Sequence, residues 1–300
     1  MAEFEATFPP TLARFRRLPL SRDQVMLLMV TINLIFLGLD TYIAHQESGT
    51  LVAREWIPIL FGFVGGAVLL VAGLLASRNR PLATVMATLT LLTSIAVGVL
   101  GAYFHLRRAA LPAAPVGEQL TLDLLIWAPP VLGPLAFAIA GVLGISAAWI
   151  EAPTGSGTLV LMGGKRLHLP FSKTRAYFFT VGMGMLAALL SSVLDHARTG
   201  FESPWVWLAT GVGTFGMAAA VTMGALDSPT RTDLRVYVAA MVLLIVSGPI
   251  GTLVHVEANL VGDSVVVIER FLRGAPFMAP LLYANMGLLG LVVLLDPRER

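Results

Sequence analysis

The sequence predicts an all-α integral membrane protein. Eight transmembrane helices are expected, as two tandem four-helix units with a short cytoplasmic β-hairpin between them. Three observations predict it. Hydrophobic residues fill 56% of the 300 positions and charged residues only 13%, against about 25% charged in a soluble domain. Eight segments hold the roughly 20 mostly apolar residues that a bilayer-spanning helix needs. And one motif occurs twice: Gly98-Val99-Leu100-Gly101-Ala102-Tyr103-Phe104-His105, then Gly248-Pro249-Ile250-Gly251-Thr252-Leu253-Val254-His255.

The eight segments run over residues 24–44, 56–76, 82–104, 122–150, 176–194, 204–226, 234–256 and 275–295. The first follows a basic leader without a small-residue cleavage site, so it reads as an uncleaved anchor. Arg16-Arg17 is too incomplete for a twin-arginine signal. Lys and Arg divide fourteen to six between the two sets of loops. By the positive-inside bias this puts both termini in the cytoplasm and the protein in the cell inner membrane. The expected organisation is a cytoplasmic segment 1–23, a first unit 24–150, a linker 151–175, a second unit 176–295 and a cytoplasmic tail 296–300.

The repeat extends past the glycine motif. Pro130-Val131-Leu132-Gly133-Pro134-Leu135-Ala136-Phe137 is matched by Pro276-Phe277-Met278-Ala279-Pro280-Leu281-Leu282-Tyr283, and Leu39-Asp40 with Glu47-Ser48 by Leu194-Asp195 with Glu202-Ser203. Four spans return the chain to its starting side, so the second unit enters with the orientation of the first. The prolines of the fourth and eighth spans remove backbone hydrogen bonds and kink or unwind those helices. An unwound stretch at membrane depth must be buried in protein or line a cavity. Small residues within the spans let helix backbones approach closely.

In the linker, Thr158–Met162, Gly163-Gly164 and Lys165–Leu169 carry the punctuation of a hairpin with a two-residue turn. Gly163-Gly164-Lys165 is not a phosphate loop, because the upstream glycine and the following Ser or Thr are missing. His168 reads as a surface residue.

Composition narrows the chemistry. There is no cysteine, which excludes disulfides, cysteine-ligated iron–sulfur clusters and covalent c-type haem. A formal net charge of +2 without a basic face argues against nucleic acid. The expected partners are the lipid bilayer and other proteins of a membrane complex.

Four of the five histidines fall at the extracytoplasmic ends of odd-numbered spans: His45, His105, His196 and His255. Asp40, Asp195, Glu47, Glu202 and Glu257 accompany them, with Asp40 and Asp195 as candidate acceptors orienting the imidazoles. Ionisable groups in or near spans are costly and usually functional. Three readings fit. Each pair (His45 with His105, His196 with His255) could clamp a haem b between helices of one unit. The imidazole–carboxylate sets could bind a quinol and accept its proton near neutral pH. Or His, Asp and Glu could ligate Zn, Cu or Fe directly. The opposing reading is ordinary interfacial side chains at helix ends. In architecture alone the design resembles haem A synthases and the quinol-binding subunits of polysulfide-reductase type. It shares the sequence motifs of neither, so no family is assigned.

The expected role is the membrane subunit of a redox, electron-transfer complex, with a haem b or quinol site at the extracytoplasmic face. No nucleotide, flavin or triad motif marks a self-sufficient enzyme. A transporter or channel for a small solute or metal ion is the alternative, although the middles of the spans are almost wholly apolar. A purely structural anchor subunit is the third reading.

Overall fold

The computed structural model describes residues 20–47, 51–260 and 265–297. The expected segment 1–23 lies mostly outside these residues, as do Ser48, the Glu47 side chain and the last three residues of the tail.

Six helices are long and apolar enough to cross a membrane. They are α1 (Arg22–Glu47), α2 (Trp56–Leu75), α3 (Arg80–Ala109), α6 (Lys173–Ala197), α7 (Pro204–Ala225) and α8 (Arg231–Asn259). Their starts are locally encoded. Asn79, Ser172 and Thr230 each accept a hydrogen bond from the third residue of the helix that follows, which satisfies one of the unpaired amides of the first turn.

The fourth and eighth predicted spans are interrupted at their prolines, and only a short helix follows each break. The fourth is a short helix α4 (Leu122–Trp127), a non-helical stretch containing Pro129, Pro130 and Pro134, and then α5 (Leu135–Ala148). The eighth, which follows a short helix α9 (Ile268–Arg273), is a turn between Pro276 and Pro280 and then α10 (Leu281–Val292). With 14 and 12 residues, α5 and α10 are about 21 and 18 Å long, against a hydrocarbon core of about 30 Å. The prolines set the break, since each lacks the N–H an interior turn would use.

The helices pack as two four-membered rings. In one, α1 packs on α2, α2 on α3, α3 on α5 and α5 on α1; in the other the order is α6, α7, α8, α10. Thus α1 lies diagonally across from α3, and α6 from α8. Across the join, α5 packs on α6 and α10 on α1. A continuous core containing Met26, Leu34, Leu91, Phe137, Tyr177, Met185, Tyr237, Leu244 and Leu289 runs through both rings.

Glycine decides how closely the helices approach. A methyl added at Gly62 would lie 2.5 Å from Gly38 Cα and 2.6 Å from Leu34 O. Both are main-chain atoms that no rotamer change can move. Gly62→Val is therefore expected to force α1 and α2 apart and cost about 3 kcal/mol. An unfolding titration in detergent measures this, and Gly73→Val, whose added carbon would meet nothing within 4 Å, is the matched control.

The linker forms a three-stranded sheet rather than a lone hairpin. Strand β1 (Ile150–Glu151) pairs antiparallel with β2 (Thr158–Val160), which pairs with β3 (Arg166–His168). The turn is longer than two residues: Leu161 N donates to Lys165 O at 2.8 Å, and a short 3₁₀ turn spans Met162–Gly164. Gly163 and Gly164 have φ of 73° and 75°, a conformation that costs glycine little. His168 is exposed, with Nδ1 3.2 Å from the Thr158 hydroxyl.

Candidate functional site

The C-terminal ends of α1 and α3 bring His45 and His105 together, with ring centres 6.1 Å apart. Those of α6 and α8 bring His196 and His255 together at 6.0 Å. Each pair joins the two diagonal helices of one ring. All four imidazoles are partly buried.

The unwound proline stretches hold the rings. His105 Nδ1 donates to Pro130 O at 2.9 Å, and His255 Nδ1 donates to Pro276 O at 3.0 Å. His45 Nδ1 donates to Thr41 O, one turn back on its own helix, at 2.8 Å. A carbonyl can only accept, so in the neutral ring the proton sits on Nδ1 and the lone pair on Nε2. Thus three of the four neutral imidazoles carry their acceptor nitrogen at the ring's outer position.

The glycine motif brings the proline stretch within reach. Carbons added at Gly98 would strike Ala138 and Pro134, and at Gly248 Ala284 and Pro280. Gly101 and Gly251 abut the rings of Pro134 and Pro280, with an added carbon 2.7 Å from Cβ in both. The two glycines of each motif thus allow the helix to lie on the proline turn, whose carbonyl then meets the histidine one turn further on.

The carboxylates are arranged differently from expectation. Asp195 lies 3.7 Å from Arg198, and Asp40 is on the exposed face of α1 beside Leu39. At Nδ1 of His45, His105 and His255 the acceptor is a main-chain carbonyl rather than Asp40 or Asp195. Glu202 and Glu257 are exposed. Among the described residues no group of three His, Cys, Asp or Glu is placed to hold a metal ion.

No family model matches this sequence, and neither a curated protein nor a solved structure is significantly similar to it.

Several polar residues outside the sequence expectation fix that geometry. Arg198 donates from Nε to Ile126 O at 2.6 Å and from Nη2 to Ala128 O at 2.8 Å, tying the end of α6 to the stretch that carries Pro130. The Asn259 amide donates to Ala275 O and accepts from Ala275 N, both at 2.8 Å, which pins the end of α8 to the stretch that carries Pro276.

At the opposite end of the bundles, Asp23 of α1 meets Lys173 of α6 in an ion pair. Asp23 also accepts from Tyr177 OH at 3.0 Å and Arg22 Nε at 3.3 Å. Lys173 Nζ donates further to Trp149 O at 2.6 Å. Glu151 caps α6 by accepting from Lys173 N at 2.9 Å and holds the loop through Gly155 N and Gly157 N. A cavity of about 390 Å³ borders Arg22, Asp23, Glu151 and Lys173. In sequence these residues look like ordinary charges flanking spans. Only their burial, with Arg22 and Lys173 each 1% exposed, separates them from loop charges.

Proposed function

We propose that this protein is the membrane subunit of a redox complex, and that its two imidazole pairs are equivalent sites of a tandem duplication. The observation that carries the reading is the pairing of histidines from diagonal helices, 6.1 and 6.0 Å between ring centres. With metal–imidazole bonds of about 2 Å and roughly 1 Å more to each ring centre, two imidazoles on one ion lie about 6 Å apart. A bare zinc or iron ion seeks further protein donors. Haem brings four nitrogens of its own, so two imidazoles would complete its ligand set. The spacing fits either, and the donor set of only two imidazoles favours haem b over a bare ion.

His45, His105, His196 and His255 would hold the haems, which when bound supply one-electron chemistry. The chain's own part is orientation. Pro130 O and Pro276 O hold the Nδ1 protons, which fixes the tautomer and directs the Nε2 lone pair to the ligand. Conversely, the second pair has buried hydroxyl groups nearby, which favours a quinol there as the second reading. Duplication is supported by the parallel contacts of Gly98 with Pro134 and Gly248 with Pro280. It is also supported by the shared acceptor roles of Pro130 O and Pro276 O.

The visible spectrum of the purified protein, oxidised and then reduced, tests the haem reading. A reduced-minus-oxidised b-type band is expected; a featureless spectrum overturns it. The same reading needs α5 and α10 to complete eight crossings with both pairs extracytoplasmic. Reporter fusions after Leu51 and Glu118 are expected outside and one after Ser172 inside. A cytoplasmic signal after Glu118 defeats both the orientation and the eight-crossing topology.

A further inference from the structure

The two histidine pairs have similar spacing but differ in what lies beneath them. In the second bundle, Ser192 stands one turn before His196 on α6, and Thr252 one turn before His255 on α8, each on its histidine's face. Tyr283 enters from the first turn of α10. At the matching repeat positions the first bundle has Leu37, Ala102 and Phe137. There Phe137 packs on Phe61, ring centres 6.1 Å apart.

Thr252 Oγ1 and Tyr283 OH are buried without a hydrogen-bond partner among the described residues. The Ser192 hydroxyl faces Tyr283 OH but lies outside hydrogen-bonding geometry. Other hydroxyls on these helices are satisfied locally. Thr31, Thr93, Thr180, Thr210 and Thr214 each donate to the carbonyl four residues back, at 2.8–2.9 Å. The other two buried tyrosines of this bundle are also paired: Tyr237 donates to Gly290 O at 2.8 Å and Tyr177 to Asp23 Oδ1 at 3.0 Å. Tyr283 is only 6% exposed. Its hydroxyl is received against a glycine, since a methyl at Gly213 would lie 2.9 Å from it. Two orphaned hydroxyls in a core that satisfies its others call for a polar occupant.

We infer that the second bundle contains a buried site, formed by Ser192, Thr252 and Tyr283 beneath the His196–His255 pair, that binds a ligand oxygen through hydrogen bonds. The first bundle has no counterpart. The ligand oxygen is a quinol hydroxyl or an ordered water. The site deepens the quinol reading for the second pair and also stands without it. A hydroxyl-bearing ligand can donate to one side chain and accept from another, as this set of hydroxyls requires.

The test replaces Thr252 and Tyr283 with the first bundle's own residues, giving Thr252→Ala/Tyr283→Phe, in full-length protein in detergent. If a ligand oxygen joins these hydroxyls, the double variant loses those bonds and its melting temperature falls by about 3–6 °C. If the hydroxyls are truly unpaired, their removal leaves the melting temperature unchanged or raises it, and the site is overturned. The companion change Ala102→Thr/Phe137→Tyr in the first bundle, which lacks the matching serine, is expected to destabilise as well. A gain in stability there would refute the asymmetry. A water-soluble quinol then separates the sources. Stabilisation of the parent protein but not of Thr252→Ala/Tyr283→Phe assigns the oxygen to quinol. No quinol shift in either assigns it to water, leaving the site intact and ending the quinol reading alone.

Discussion

Lys173→Met is expected to lower the unfolding free energy by about 3 kcal/mol, toward the lower end for breaking a buried ion pair. Lys173 and Asp23 join the N-terminal ends of α6 and α1, with side chains 1% and 8% exposed. Removing the ammonium leaves the Asp23 carboxylate in a site that water scarcely reaches. Tyr177 OH and Arg22 Nε still donate to it, which is why the cost falls short of the largest values. Trp149 O also loses its 2.6 Å donor, loosening the entry to β1. The double change Asp23→Asn/Lys173→Met removes both charges together and is expected to recover a substantial part of the loss. A double-mutant cycle by unfolding in detergent isolates the pair from its neighbours. A single-variant cost under about 1 kcal/mol would mean that the carboxylate finds water or another cation, and the joint between the bundles would lose its energetic basis.

If the imidazole pairs hold haem as proposed, His105→Ala is expected to remove about half of it, since each pair would supply both imidazoles for one group. His255→Ala is expected to do the same, and the double variant to carry none. The geometry gives each substitution a second consequence. Pro130 O or Pro276 O loses its donor, so the proline stretch beside it should become more open to exchange. His168→Ala is the control, because His168 is exposed on β3 at the other end of the molecule. Haem per protein from the pyridine spectrum reads the result. Unchanged haem content after His105→Ala would exclude His105 as a ligand. If the parent protein carries no haem, quinol-dependent electron transfer is the readout that remains. Its survival in His105→Ala/His255→Ala would leave the pairs as ordinary helix ends.

Much of this site can be read along the chain. The spacing in GxxGxxxH puts two glycines and a histidine on one helical face. The prolines of the next segment forbid a continuous helix through residues 129–134 and 276–280. Apolar length marked the six long helices for a related reason, because main-chain polar groups in lipid can be satisfied only within a helix. The fourth and eighth segments are less plain. Their composition is as apolar as a span, and their prolines announce the unwinding, but how much helix remains after the prolines is set by the fold.

The local sequence determined the membrane setting, the long helices, the caps at Asn79, Ser172 and Thr230, and the four places where a histidine falls near a helix end. Only the tertiary structure decided which groups those residues meet. Asp40 and Asp195 were reasonable acceptors by proximity in sequence, yet the acceptors at Nδ1 of His105 and His255 are carbonyls that became available when proline unwound another segment. Arg22, Asp23 and Lys173 read as solvated flanking charges, yet burial made them one joint between the bundles. Thr252 and Tyr283 stand in the repeated motifs only as matched positions, yet packing left their hydroxyls without partners among the described residues. The physical reason is common to all three. Composition and periodicity report what a residue can satisfy within its own helix, whereas hydrogen-bond partners and dielectric surroundings are supplied by segments about 20 to 150 residues away, and these are fixed only when the bundles close.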